Sequence, residues 1–136
     1  MTKEQLLADF LELTEEEAED IKELDSRGHY EIHNREYLVL SDCEADQLTG
    51  ERIQESLWAF NSHFLARMTE LPVDVFACLS EQYEKANEPI KMLIEKTCGL
   101  QELVNEAIAI DGRGHFLADY DHEEHEHIGM FIYRVN

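Results

Sequence analysis

The last quarter of the chain constrains its fold more than any other stretch. Asp111-Gly112-Arg113-Gly114-His115 ends an apolar helical pattern, and its two glycines permit the positive φ of a helix stop. Residues 116–120 and 128–135 then have strand character, with an acidic, histidine-rich turn between them. A closing antiparallel hairpin follows, and a hairpin needs a larger sheet and an apolar layer to lie on. An earlier stretch echoes this one: Arg27-Gly28-His29-Tyr30 opens one hairpin as Arg113-Gly114-His115-Phe116 opens the other. Residues 29–33 and 36–40 form the earlier pair, and Tyr37-Leu38-Val39-Leu40 is aromatic and β-branched enough for a buried strand. Its turn falls at Asn34-Arg35, which is not a favoured two-residue turn.

The rest reads as helix. Thr2-Lys3-Glu4-Gln5, Thr14-Glu15-Glu16-Glu17 and Ser41-Asp42-Cys43-Glu44 each have capping-box spacing. Leu6, Leu7, Phe10, Leu11 and Leu13 give the first helix an apolar face; Ala18, Ile21 and Leu24 do the same for a second. A third, the strongest core helix, runs from the Ser41 cap through Ile53, Leu57, Phe60, Phe64, Leu65 and Met68 until Leu71-Pro72 breaks it. Val75, Phe76, Leu79 and Tyr83 form the inner face of the next. Asn87-Glu88-Pro89 and Thr97-Cys98-Gly99 separate two further helical stretches. The expectation is an α+β fold: a helical layer of four to six helices with two β-hairpins in one small antiparallel sheet. With no Pro-, Gly- or Ser-rich linker, residues 1–136 read as a single domain.

Charge limits the partners of such a fold. Asp and Glu number 31 against 11 Lys and Arg, a formal net charge of −20. Anionic membrane surfaces and nucleic acid repel such a molecule and are excluded as direct partners. A basic groove on another protein suits it, including the grooves that hold DNA or RNA. The acids are clustered, with eight acids and one lysine in residues 12–25, and five acids without lysine or arginine in residues 119–126. Glu15, Glu16, Glu17, Glu19, Asp20 and Glu23, together with Asp119, Asp121, Glu123, Glu124 and Glu126, form the candidate partner-binding face. Carboxylates along one side of a rigid protein can imitate the phosphate rows of a duplex, in binding that weakens with salt. The plainer reading is a solvated acidic surface, and Glu15, Glu16 and Glu17 also suit the positive end of a helix.

Two other constellations carry chemistry. His122, His125 and His127, with His115, Asp119 and Asp121 nearby, could complete a sphere for a divalent transition metal such as zinc. Such loop-borne ligands are equally well explained as a polar hairpin turn, and no cofactor is the leading expectation. Asp111, Arg113 and His115 could hold a carboxylate or phosphate, Arg113 by its bidentate fork and His115 as a titratable donor. The loop lies at a helix C-terminus, the wrong end for helix-assisted anion binding, and lacks the glycine patterns of nucleotide binders. The plainer reading pairs Asp111 with Arg113 or a backbone amide. Ser41, Ser56, Ser62 and Ser80 sit at a cap or on helices without a nucleophile elbow. Cys78, on a core helix, reads as a buried inert thiol, and Trp58, Phe60 and Phe64 read as core. The balance favours a non-enzymatic binding protein.

Cys43, Cys78 and Cys98 are odd in number and never paired at Cys-x-x-Cys spacing, which points to free thiols in a reducing compartment. The first residues have no basic segment leading an apolar stretch, and no run approaches a membrane span. The expected location is cytoplasmic.

Asp111-Gly112-Arg113-Gly114-His115-Phe116-Leu117-Ala118, then Tyr120-Asp121 and acidic residues, then Phe131-Ile132-Tyr133-Arg134 with Asn136, resembles the C-terminal signature of small uncharacterised proteins of bacteriophages and other mobile elements. Glu36-Tyr37-Leu38-Val39-Leu40-Ser41-Asp42-Cys43-Glu44-Ala45-Asp46 is similar to a second block of that group. The group's turn is often Asp-Gly-Glu-Glu, where this chain has Asp121-His122-Glu123-Glu124-His125, a departure that weakens a histidine-based metal site. The resemblance supplies a setting and no catalytic residues. It implies a phage accessory protein, in the host cytoplasm, that binds and blocks a host nucleic-acid-binding protein or defence component, with DNA mimicry as one route. The competing expectation is a metal-binding module or small metal-dependent enzyme centred on the C-terminal His/Asp cluster.

Overall fold

The three capping boxes start helices where local chemistry requires them. In the computed structural model, which describes all 136 residues, α1 (Lys3–Phe10) and α2 (Glu15–Ala18) each carry a reciprocal cap, Thr2 with Gln5 and Thr14 with Glu17. Ser41 and Glu44 cap α3 (Asp42–Glu55) in the same way. The helices are completed by α4 (Ser62–Thr69), α5 (Val73–Ser80), α6 (Asn87–Glu95), α7 (Leu100–Asp111) and α8 (Arg113–Leu117), with single 3₁₀ turns at Leu57–Ala59 and Tyr83–Ala86. The strands are β1 (Lys22–Glu23), β2 (His29–Ile32), β3 (Arg35–Leu40), β4 (His125–His127) and β5 (Met130–Arg134). They form one five-stranded antiparallel sheet in the order β1-β2-β3-β5-β4. The class is α+β, as the residue patterns imply, with a fifth strand beyond the two hairpins.

The chain gathers into two compact units, Met1–Thr49 with Asp111–Asn136, and Gly50–Ile110. The first unit holds the sheet. Its central strand β3 is buried on both faces, which explains the unbroken apolar run from Tyr37 to Leu40. On one face Tyr37, Val39, Tyr30, Ile32 and Ile132 pack with Leu6 and Leu7 of α1. On the other, Leu38, Leu40 and Tyr133 pack with Ala45 of α3 and with Leu117 and Ala118. In the second unit, Ile53, Leu57, Leu65, Phe76, Ile90, Ile94 and Leu103 are fully buried. There α4 packs on α5, and α6 on both 3₁₀ turns.

Several expectations are corrected. The second helix ends at Ala18; Lys22 and Glu23 pair with β2 instead, and Leu24 is largely exposed. The long third helix breaks at Ser56, and Asn61 caps a new helix through His63 and Phe64. Apolar spacing alone cannot see such a break, because Ile53, Leu57 and Leu65 are buried on both sides of it. The first hairpin turns at His33-Asn34, where Ile32 pairs with Arg35 and both turn residues have positive φ, 50° and 64°. Two left-handed residues in a two-residue loop match the twist of the strands. Residues 116–120 are not a strand. Arg113-Gly114-His115-Phe116 lies in α8, so it does not echo Arg27-Gly28-His29-Tyr30, where His29 begins β2. The partner of β5 is instead the histidine-rich segment itself, with the turn at Ile128-Gly129. Cys78 is exposed rather than buried, and so are Val75 and Tyr83.

Candidate functional site

Arg113 is where the distant parts of the first unit meet. Its side chain is only 10% exposed, and three carboxylates surround it. The Nε donates to Glu124 Oε1 at 2.8 Å, while Nη1 donates to Asp42 Oδ1 at 2.9 Å, Asp46 Oδ1 at 3.1 Å and the Asp42 carbonyl at 3.1 Å. Asp42 and Asp46 stand one turn apart on α3, so both face the same guanidinium. Its plane lies over Phe131, 4.6 Å from the ring centre, and the Tyr133 hydroxyl donates to the same Glu124 oxygen. Burial by itself would lower the Arg113 pKa. The hydrogen bonds to Glu124 and Asp42 outweigh it and raise that pKa above the ordinary value, so the charge is permanent. Burial first, then the bond to Glu124, raises the Tyr133 pKa and keeps its phenol protonated.

Arg113 therefore does not pair with Asp111, nor does it offer its fork to a ligand. Gly114 explains the glycine beside it. An added Cβ there would stand 2.6 Å from the His122 carbonyl oxygen, so only glycine lets the turn at residues 122–124 close over α8. His115, exposed, stacks on His122 with ring centres 5.3 Å apart. Asp111 is exposed at the end of α7.

The histidines proposed as one metal set take separate partners. His127 Nε2 lies 2.8 Å from Asp9 Oδ2. Both His127 and His125 flank the Phe10 ring, at 5.5 and 5.4 Å, on the α1 face of the sheet. His122 Nδ1 approaches the His115 carbonyl at 3.3 Å. The donors that converge are instead Asp121, Glu123 and His125, whose ligand atoms lie within 4.8 Å of one another on the surface. The two carboxylates are exposed and borne by an irregular turn, weak support for a fixed coordination geometry.

The acidic residues divide. Glu15, Glu16, Glu19, Asp20 and Glu23 are exposed. Asp20 has a histidine, His33, as its partner at 3.4 Å, and Glu17 is engaged by the Thr14 cap. Asp119, Asp121, Glu123, Glu124 and Glu126 are also exposed, and Glu124 bonds Arg113 and Tyr133 as well. Glu23 and Glu126 lie on β1 and β4, opposite edges of the sheet, so four strand spacings of ~4.8 Å separate them by roughly 19 Å. Glu4, Asp9 and Glu15 line an open groove of α1 and α2, and Asp9 reaches β4 through His127. Sequence reasoning passed over Asp9, Asp46 and Tyr133 as site residues. Residues 36–46 and 111–136, singled out in the sequence, contain Asp42, Asp46, Arg113, Phe131 and Tyr133, and these are the residues that meet. No helix is long and apolar enough to cross a membrane.

Compared with protein families, with curated proteins and with solved structures, the chain has no match.

Proposed function

We propose that this chain is an accessory protein of a phage or mobile element that binds another protein through its exposed carboxylates and blocks a basic, nucleic-acid-binding groove. The observation that carries this reading is the distribution of charge. Arg113 and Lys3 are spent on carboxylates elsewhere, Lys3 on Glu44 at 3.0 Å. Glu15, Glu16, Glu19 and Asp20 stand in solvent on and just after α2, whose N-terminus Thr14 caps. Glu4, Asp9 and Glu15 line a groove beside that segment, and Asp9 reaches β4 through His127. Such a surface gains from Lys and Arg on a partner and steers the encounter at low salt.

The test uses protein immobilised in host lysate at low and at moderate salt, beside a variant carrying Glu15→Lys, Glu16→Lys, Glu19→Lys and Asp20→Lys. The expected result is a stoichiometric nucleic-acid-binding protein held by the native chain, released by salt, displaced by DNA and absent from the reversed variant. Equal capture by both proteins would refute the role of the acidic face.

A second reading, a metal-binding module, is favoured by the Asp121, Glu123 and His125 convergence alone. Calorimetric titration of untagged protein with zinc decides it. One equivalent taken up, and lost in His125→Ala, would support the module; uptake unchanged by that substitution would remove it.

A further inference from the structure

Tyr83 is an aromatic residue where the backbone is costly for one. It begins the 3₁₀ turn Tyr83–Ala86 with a φ of 53°, in the left-handed region that suits glycine and asparagine. The residue is 69% exposed, so burial contributes little to offset that strain. The ring stands edge-on to Trp58, with centroids 6.3 Å apart and planes at 70°. Trp58 is itself held in place. Its backbone N–H donates to Asn87 Oδ1 at 3.3 Å, and Asn87 Nδ2 donates to the Gln54 carbonyl at 2.8 Å. The two rings line one open notch together with Glu81, Gln82, Glu84 and Lys85.

Two aromatic walls near a right angle, with two carboxylates against one lysine on the rim, favour a cation over an anion or a neutral ligand. Ring faces attract cations through their quadrupole, Trp most strongly, and guanidinium groups are the commonest partners in proteins. We infer that the Trp58–Tyr83 notch is a docking site for an arginine side chain of a polypeptide partner. The planar guanidinium stacks on the indole while its N–H fork remains free for Glu81 or Glu84, which a compact ammonium cannot do as well. The site lies within Gly50–Ile110 and uses none of residues 15–23, so it stands or falls apart from the acidic-face reading.

Trp58 is the only tryptophan, so its indole N–H gives a single resonance that reads the notch directly. The intact protein is titrated, at fixed ionic strength, with acetyl-glycyl-arginyl-glycinamide, its lysine counterpart, and the neutral citrulline isostere. Arginine is expected to move the indole signal saturably with a dissociation constant of ~30–400 mM, the range of a single cation–π contact of ~0.5–2 kcal/mol. The lysine peptide is expected to bind at least about threefold more weakly, and citrulline to leave the signal in place. Tyr83→Gly removes one wall and relieves the left-handed strain, so the variant is expected to keep a folded spectrum and lose the arginine-dependent shift. Citrulline or lysine matching arginine, or Tyr83→Gly binding as the wild type does, would overturn the inference.

Discussion

Replacing Arg113 with methionine tests whether the buried guanidinium organises the first unit. The substitution keeps an unbranched stem against Phe131 and deletes the charge. Glu124, one-third exposed, then loses a charge-assisted hydrogen bond worth ~1.5–3 kcal/mol. Asp42 and Asp46 are 74% and 60% exposed, so they rehydrate, and their pairs contribute only about 0.2–1 kcal/mol each. Stacking of the cation on Phe131 adds ~0.5–1 kcal/mol. Part of this is returned because the guanidinium no longer has to be desolvated. The expected net loss is about 2–4 kcal/mol, a fall of roughly 1–2 M in the urea midpoint at unchanged slope. Arg113→Lys keeps the charge but cannot reach Glu124 and the two α3 carboxylates through a planar fork, and should recover about half of the loss. Combining Arg113→Met with Glu124→Gln should cost less than the sum of the two. A loss for Arg113→Met below about 0.5 kcal/mol, or a lysine variant equal to wild type, would refute the reasoning.

Two glycines should be irreplaceable for different reasons. Gly114→Ala pushes a Cβ to 2.6 Å from the His122 oxygen and should cost about 1–3 kcal/mol in thermal unfolding. Gly28→Ala meets the Val39 oxygen at 2.3 Å with φ at +87°, and should cost more, roughly 2–4 kcal/mol. The Glu44 pKa is held below its ordinary value, first by the Ser41 backbone N–H and also by Lys3. A lowered folded pKa means that this stabilisation is present above the unfolded value, about pH 4.3, and is lost as pH falls through the folded value. Lys3→Met should therefore flatten the acid limb of a urea-midpoint profile below that pH. The net charge of −20 should make the fold salt-dependent. Raising NaCl from ~0.01 M to ~0.1 M shortens the screening length from ~30 to ~10 Å and should raise the melting temperature. A flat or falling melting temperature would show that the acids are already neutralised within the fold.

The short-range features were legible in the chain. Each capping box joins residues three apart, so Thr2 with Gln5, Thr14 with Glu17 and Ser41 with Glu44 could be read from spacing and are realised as such. The apolar run in β3 is visible because it is buried on both faces, and the α+β class follows from its contrast with the helical periods around it. The charge is compositional, and it set the expectation about partner classes before any contact was known.

What the fold alone decided is everything that depends on residues far apart in the chain. Arg113 lies 71 positions from Asp42 and 11 from Glu124, and no local rule foretells that pairing. Once α8 forms to deliver Arg113 to α3, residues 116–120 cannot be a strand, and the hairpin moves on to His125–His127. Of the three histidines that spacing grouped together, His122 stays in the turn against His115, while the strand carries the other two. Successive strand residues face opposite sides, which sends His125 and His127 toward Phe10 and leaves Glu126 facing away. Local sequence determined where the first three helices begin, which strand is deeply buried and how much charge the chain carries, because those depend on composition or on neighbours a few residues away. The tertiary structure decided which carboxylates meet arginine and which stay exposed, because that depends on which segments packing brings together.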